Sequence, residues 1–339
     1  MILQALKEYY DRKAVEQDAQ TASEGFEWKD IPYVLVLDSD GKPVSLNCTY
    51  EGTGKQRRAK KYLVPQAVKR SSGIAANLLW DNPEYVFGLD LKGKPDRVIK
   101  QHKDFCGKIE LLGEISDAGV IAVKRFLARE DKIALLERFS ETWKNLCDEG
   151  ANISFQLAGE QSLVVESDEV KDAVKKMGDE KEGRVVTCLI TGKPDTLMNL
   201  HTSIKGIWGA QTSGANIVAF NQGAFRSFGK KQGENAPVGK NAAFAYTTAL
   251  NTLLDKDSRQ RMQVGDASTV FWSSKETYFE ENFRSLFSEP PKDDPDRNTR
   301  AVQSLFNAVH SGALPPAEAD TKFYVLGLAP NASRIAVRF

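Results

Sequence analysis

The first residues to weigh are those that could form a metal-dependent nuclease site. Such a site needs histidines and carboxylates at a spacing that brings them onto one metal ion. Three histidines, followed by Lys, Thr and Ser respectively, occur in the chain: His102, His201 and His310. No His-Asp metal motif is present, and no two histidines are close enough to share a helix face. We therefore expect no metal site built on histidine.

Two acid-x-Lys triplets resemble part of a restriction-type catalytic centre. They are Asp90-Leu91-Lys92 and Glu169-Val170-Lys171. The chain holds 46 acidic residues, so chance alone supplies several such triplets. We expect no catalytic residue and no enzyme activity, and a nuclease stays the alternative that a cleavage assay tests.

Nucleotide binding at Gly52-Thr53-Gly54-Lys55 is a second candidate chemistry. The segment has Thr49 where a phosphate loop begins with glycine, and Gln56 where that loop needs Ser or Thr. A basic hairpin tip explains it better. Zinc is not expected either, because the cysteines lie about 40 to 60 residues apart without a C-x-x-C pair: Cys48, Cys106, Cys147 and Cys188. The sequence predicts no cofactor.

The net charge of the 339-residue chain is zero, yet its basic residues are concentrated in two windows. Residues 51–72 hold seven basic residues and one acid, and residues 222–241 hold four and one; the remainder carries −9. Clustered positive charge on an acidic body is typical of a phosphate-binding surface. The alternative for each window taken alone is a solvent-exposed basic loop without a ligand. The candidate phosphate contacts are Lys55, Arg57, Arg58, Lys60, Lys61, Lys69, Arg70, Lys230 and Lys231.

Short polar side chains near glycines are the candidates for reading bases. Residues 206–239 hold seven of the 25 glycines, a density that suits close approach of a ligand better than a core. Amides and hydroxyls reach base edges where long side chains do not fit. The candidates are Ser71, Ser72, Asn77, Gln211, Ser213 and Asn216, with Asn77 favoured because two cations lie just upstream. A structural role in loops is the alternative for each set.

The elements that position these residues predict an α+β fold of mixed helices and mostly antiparallel sheets. Helical periodicity marks residues 2–17, 118–127, 133–147, 241–254, 276–287 and 299–310. Strand patterns mark residues 33–37, 44–48, 62–64, 153–157, 185–190, 269–272, 323–328 and 335–339, and residues 38–43 form a hairpin turn.

Length favours one large domain or two lobes. The polar stretch 166–184 is the best boundary; it gives an N-terminal lobe, 1–180, with the basic hairpin, and a second α+β lobe, 181–339, with the glycine-rich loop. The composition, 41% hydrophobic and 27% charged, is that of a globular protein. Without an apolar run of roughly 18 residues or a signal peptide, a cytoplasmic location and no membrane contact are expected.

Several blocks between residue 1 and about residue 255 resemble the Csd-type large subunit of the type I-C CRISPR Cascade complex. The opening MILQAL (1–6) is followed by the tyrosine pair 9–10. The other blocks are KYLVPQ (61–66), KRSSG (69–73), NLLWDN (77–82), GAQTSGANIVAFN (209–221), SFGKKQG (227–233), NAPV (235–238) and AFAYTTALN (243–251). They are long, they keep their order and they are specific to that family.

This resemblance implies a non-catalytic subunit of an antiviral surveillance complex. Such subunits sit against the subunit that caps the 5′ end of the guide RNA and contact the backbone subunits. They recognise the protospacer-adjacent motif as target duplex DNA, while the guide RNA reads the target sequence. A separate helicase-nuclease is recruited after target binding. The alternative is a structural assembly bracket without direct DNA readout.

The resemblance also implies a missing part. Family members are longer than this chain and carry a helical C-terminal portion. The chain ends within the alternating strand pattern of residues 333–339. We therefore expect a truncated protein that lacks the C-terminal helical portion and any grip on the displaced strand that this portion supplies.

Overall fold

The chain divides into two compact units. The computed structural model describes residues 2–16, 21–68, 70, 73–179, 183–220, 222–277, 280, 283, 296, 299, 321–331 and 334–339. Ala22–Glu182 form one unit, here called the middle unit; Met1–Thr21 and Gly183–Phe339 form the other, the terminal unit. The expected lobe of residues 1–180 differs from this division at its start, because helix α1, Ile2–Val15, belongs to the terminal unit.

The middle unit is organised around a buried strand. Its strands are β1 Phe26–Asp30, β2 Tyr33–Leu37, β3 Pro43–Cys48, β4 Tyr50–Glu51, β5 Arg58–Ala59, β6 Lys61–Pro65, β7 Trp80–Asp81 and β8 Ile153–Leu157. The apolar β2 pairs with β3 through the predicted hairpin and with β8 in parallel, giving the order β3-β2-β8-β7. Antiparallel pairs β1–β6 and β4–β5 complete the unit. Because β2 has a strand on each side and buried residues on both faces, it anchors the core.

Helices cover this sheet. They are α2 Pro83–Val86, α3 Pro95–Glu110, α4 Ala118–Leu127, α5 Lys132–Glu137, α6 Ser140–Glu149 and α7 Asp168–Asp179. The Asp117 side chain accepts the Val120 backbone N–H at 2.8 Å and so caps α4. The helix expected at 133–147 is broken, because Ser140 has a φ of 43° and separates α5 from α6. Each piece buries one leucine, Leu136 or Leu146.

The terminal unit packs helices against a four-stranded antiparallel sheet. Its elements are β9 Val185–Thr187, β10 Pro194–Thr196, α8 Lys240–Leu253, β11 Arg261–Val264, β12 Ala267–Ser273, β13 Phe323–Asn331 and β14 Arg334–Val337. The sheet order is β11-β12-β13-β14, and α1 packs on α8. Tyr246 and Leu250 lie on the buried face of α8. Every residue of β12 is buried, and Trp272 stacks on Tyr324.

The predicted α+β class with mostly antiparallel sheets is confirmed. The strand expected at 185–190 ends at Thr187, because the chain turns where the Gly192 N–H donates to the Cys188 carbonyl. The helices expected at 276–287 and 299–310 lie almost entirely outside the described residues. Within the described segments, no helix combines the length and apolar character needed to cross a membrane.

Candidate nucleic-acid interface

The first basic window begins as a hairpin. Strands β4 and β5 are joined by a tight turn that contains Gly54–Gln56. Gly52 has a φ of 75°, and a Cβ atom there would lie 2.8 Å from the Gln56 carbonyl oxygen, so the turn requires glycine. The resemblance to a phosphate loop therefore reflects hairpin geometry. The side chain of Lys55 is outside the described part of this tip.

Arg57 is engaged within the middle unit. Its Nη2 donates to Glu149 Oε1 at 2.8 Å, and its guanidinium carbon lies 3.7 Å from the centre of the Tyr50 ring. The hydrogen bond to Glu149 raises the pKa of Arg57. Tyr33 donates its hydroxyl to the other oxygen of Glu149 at 3.1 Å. A phosphate would have to compete with this carboxylate for Arg57.

Other cations of this window remain near the surface. Arg58 and Lys60 are exposed on and beside β5, and Lys61 at the start of β6 is half-buried. The ammonium of Lys60 lies 5.1 Å from the centre of the Tyr62 ring. Arg58 and Lys60 keep their place as candidate phosphate contacts on grounds of exposure.

Arg70 is the internal partner of a buried acid. Its guanidinium donates to both carboxylate oxygens of Asp81, and its Nε donates to the Ala75 carbonyl at 2.5 Å. The guanidinium also lies 4.1 Å from the centre of the Tyr85 ring. Asp81 is only 1% exposed, so it needs this cation. These contacts give Arg70 a structural role, and a phosphate would have to compete with Asp81 for its guanidinium.

Asn77 is likewise internal. It is 4% exposed, and its side-chain oxygen accepts the Val68 backbone N–H at 3.0 Å. Its own backbone N–H donates to Asp81 at 2.9 Å. An amide in this position cannot meet a base edge unless the loop opens. The structure therefore disfavours Asn77 as the residue that contacts a base. Three further candidates of this loop lie outside the described residues: Lys69, Ser71 and Ser72.

The polar candidates of the terminal unit separate into two kinds. Gln211 and Ser213 are exposed on a turn in which the Gly214 N–H donates to the Gln211 carbonyl at 2.9 Å. Asn216 donates its side-chain amide to the His201 carbonyl at 2.9 Å, and its own carbonyl accepts the Ile335 N–H. Asn216 therefore holds the loop together, whereas Gln211 and Ser213 remain placed to meet a ligand.

Three cations of the second basic window are presented to solvent. Arg226, Lys230 and Lys231 are exposed, and no carboxylate of the described residues lies within ion-pairing distance of their side chains. The nearby acid, Glu234, accepts the Lys231 backbone N–H at 2.8 Å and the Arg184 guanidinium at 2.8 Å. The hydrogen bond from the Lys231 backbone contributes most to lowering the pKa of Glu234, and the hydrogen bond from Arg184 lowers it further. Arg226 was not among the phosphate contacts predicted from the sequence, although it lies in the same window.

The acids of the two nuclease-like triplets have local structural partners. Asp90 accepts the backbone N–H groups of Lys92 and Lys94 at 3.2 and 2.8 Å, and Glu169 accepts the Ser116 hydroxyl at 3.1 Å. Among the residues that the structure describes, no group of three or more His, Cys, Asp or Glu side chains is placed to hold a metal ion. Both acids thus order turns and helix starts.

The chain belongs to the family described as CRISPR-associated protein (Cas_Csd1), which it matches over residues 6–339. Membership makes it a Csd1-type large subunit of a Cascade complex, as the sequence blocks indicated. It is thus a CRISPR-associated component of prokaryotic defence. No curated protein matches the chain significantly.

Proposed function

We propose that this chain is the non-catalytic large subunit of a type I-C RNA-guided surveillance complex. It binds target duplex DNA at the protospacer-adjacent motif and docks on the subunit that caps the 5′ end of the guide RNA, beside the backbone subunits. The guide RNA pairs with the target, and the bound complex recruits a helicase-nuclease in the cytoplasm. Family membership supports the Cascade setting.

The observation that carries DNA binding is a cluster of exposed cations in the second window that form no salt bridge with a described carboxylate. Arg226, Lys230 and Lys231 lie within six residues, exposed, on a chain whose charge outside the two windows is −9. When such cations bind phosphates, the counterions condensed on the DNA are released, and this release supplies most of the non-specific affinity for DNA. Exposed Gln211 and Ser213, in the same unit, are the remaining described candidates for base contact.

The test compares the assembled complex carrying Arg226→Gln, Lys230→Gln and Lys231→Gln with the wild type on target duplexes that differ only in the flanking motif. Wild type should prefer one motif, and the variant should lose affinity by a similar factor on every motif, because phosphate contacts carry no sequence information. A matched control removes three exposed positive charges from the middle unit: Lys103, Lys175 and Lys176. Equal losses in both variants, or no motif preference in wild type, would contradict the proposal.

Absence of catalysis is part of the same proposal. The internal partners of Asp90 and Glu169 support it, because acids occupied in turns and caps are poor metal ligands. Given magnesium or manganese, the chain should leave single- and double-stranded DNA and RNA intact. Cleavage that disappears in Asp90→Asn or Glu169→Gln would overturn this part.

A structural assembly bracket is the second candidate function. It is favoured by the internal ion pairs of Arg57 and Arg70, which turn part of the first window into scaffold. A bracket predicts that the second-window variant loses affinity for neighbouring subunits and keeps affinity for DNA. Size-exclusion chromatography of the assembled complex, followed by DNA titration of the same sample, separates the two functions.

A further inference from the structure

Phe228 occupies a position that neither backbone preference nor burial explains. Its side chain is 97% exposed and its φ is 49°. Gly229 follows with a φ of 73°, and the Lys230 N–H donates to the Ser227 carbonyl at 2.9 Å. Residues 227–230 thus form a turn whose two central residues have positive φ, a conformation that favours Gly, Asn and Asp. Phenylalanine is strained there and gains nothing from burial.

The loop beneath this turn is firmly held. Asn235 accepts the Ser227 N–H at 3.2 Å and donates its amide to the Gln232 carbonyl at 3.0 Å. The Arg334 guanidinium lies 4.6 Å from the centre of the Phe225 ring, on the approach to the turn. At Gly233 a Cβ atom would lie 2.6 Å from the Met198 carbonyl oxygen, so the backbone packs closely. These contacts present the Phe228 ring from a fixed base.

The charged residues beside the Phe228 ring indicate which kind of ligand it could bind. Arg226 and Lys230 each lie two residues from Phe228, and Lys231 lies three away; all three are exposed. A projecting aromatic ring among exposed cations is complementary to a nucleotide, whose base offers a flat face and whose phosphate offers negative charge. In a duplex the base faces are covered by stacking, so only an unpaired base presents one.

We propose that Phe228 stacks on an unpaired base of the target DNA, while Arg226, Lys230 and Lys231 contact the adjacent phosphates. This site would engage DNA where its strands are separated, in addition to the duplex beside it. The inference rests on the proposed DNA-binding function and adds a single-stranded element to it. Conformational strain at Phe228 would be the cost of projecting the ring into the ligand.

The test uses the 339-residue chain and two DNA probes of equal length. One probe is fully paired, and the other has a three-nucleotide bubble with 2-aminopurine at its centre. Wild type should prefer the bubbled probe and quench the 2-aminopurine emission. Phe228→Ala should weaken binding to the bubbled probe about fivefold to a hundredfold. It should leave affinity for the paired probe and both salt dependences unchanged, because it removes no charge.

Two variants guard against trivial outcomes. Phe228→Trp should keep the quenching and the preference for the bubble, because the indole also stacks. Leu111→Ala removes another exposed apolar side chain, 67% exposed and in the middle unit, and should have no effect. Phe228→Ala that keeps the bubble preference and the quenching overturns the inference, and so does tighter binding of an RNA bubble. Failure of the wild-type chain to prefer the bubbled probe also overturns it, whereas failure of the assembled complex to bind its target duplex would instead defeat the proposed function.

Discussion

In the middle unit, Arg57 and Arg70 form salt bridges with Glu149 and Asp81, whereas in the terminal unit the cations of residues 226–231 form none with the described carboxylates. Both regions look alike in a count of basic residues. They differ in what the fold brings beside each cation, and that determines whether a phosphate meets a free charge or a competing carboxylate. Charge density alone therefore overstates the first window as a DNA surface.

The glycines of residues 206–239 show a similar division. A Cβ atom at Gly206 would lie 2.5 Å from the Leu254 carbonyl oxygen, and at Gly214 it would lie 2.8 Å from that of Ile204. At Gly223 and Gly229 no atom lies within 4 Å of such a Cβ. The first pair lets the backbone approach neighbouring carbonyl groups closely. The second pair leaves space at the surface around the proposed site.

The largest effect is expected where the buried pair of the middle unit is broken. Asp81→Ala should destabilise that unit by about 3 kcal/mol, because it removes the partner of Arg70 and the acceptor of the Asn77 and Asn82 N–H groups. Hydrogen exchange measured by mass spectrometry reports on each unit separately. The terminal unit should be unchanged, and Lys231→Ala, a surface control, should change neither unit by more than about 0.5 kcal/mol.

The same pair distinguishes a structural arginine from a phosphate contact. If Arg70 bound phosphate, Asp81→Asn would strengthen DNA binding, because it removes a competing negative charge. The structure predicts that DNA binding is weakened or unchanged, since Arg70 and the Asn77 N–H lose the charge of their shared partner. Tighter binding by Asp81→Asn would show that the first window is a DNA surface after all.

A smaller effect is expected from the packed glycines. Gly206→Ala should destabilise the terminal unit by about 2 kcal/mol, because its φ is 83° and the added methyl group meets the Leu254 carbonyl. Gly223→Ala should change stability by less than about 1 kcal/mol, since the site is open. Thermal unfolding of the two variants checks the comparison. Equal losses of stability would contradict it, because they would mean that the packed and the open glycine tolerate a methyl group equally well.

The smallest effect is expected from the partly exposed pair of the middle unit. Arg57→Gln and Glu149→Gln should each lower the stability of the middle unit only slightly, because water screens this ion pair. The double variant should cost less than the sum of the single ones, since the two side chains contact each other. Chemical unfolding measures this coupling, and strict additivity would mean that the pair contributes nothing in solution.

Local patterns allowed much of the fold to be predicted. The hairpin at 38–43 and helix α8 depend on turn residues and on periodicity, which the sequence displays directly. The partners of the cations were hidden, because Arg57 and Glu149 are separated by 92 residues and meet only where the residue before β5 reaches the last residue of α6. Phe228 lay within a block used to recognise the family, but its exposure depends on a backbone conformation that no residue pattern announced.

The most direct test of the account is the salt dependence of duplex binding for two variants that each remove one positive charge. Lys231→Gln should reduce the slope of log K against log salt concentration by about 0.9, the value for one lost phosphate contact. Arg57→Gln should leave the slope unchanged, because Glu149 already occupies this guanidinium. Equal reductions in both variants, or an unchanged slope for Lys231→Gln, would contradict the assignment of DNA contact to the second window.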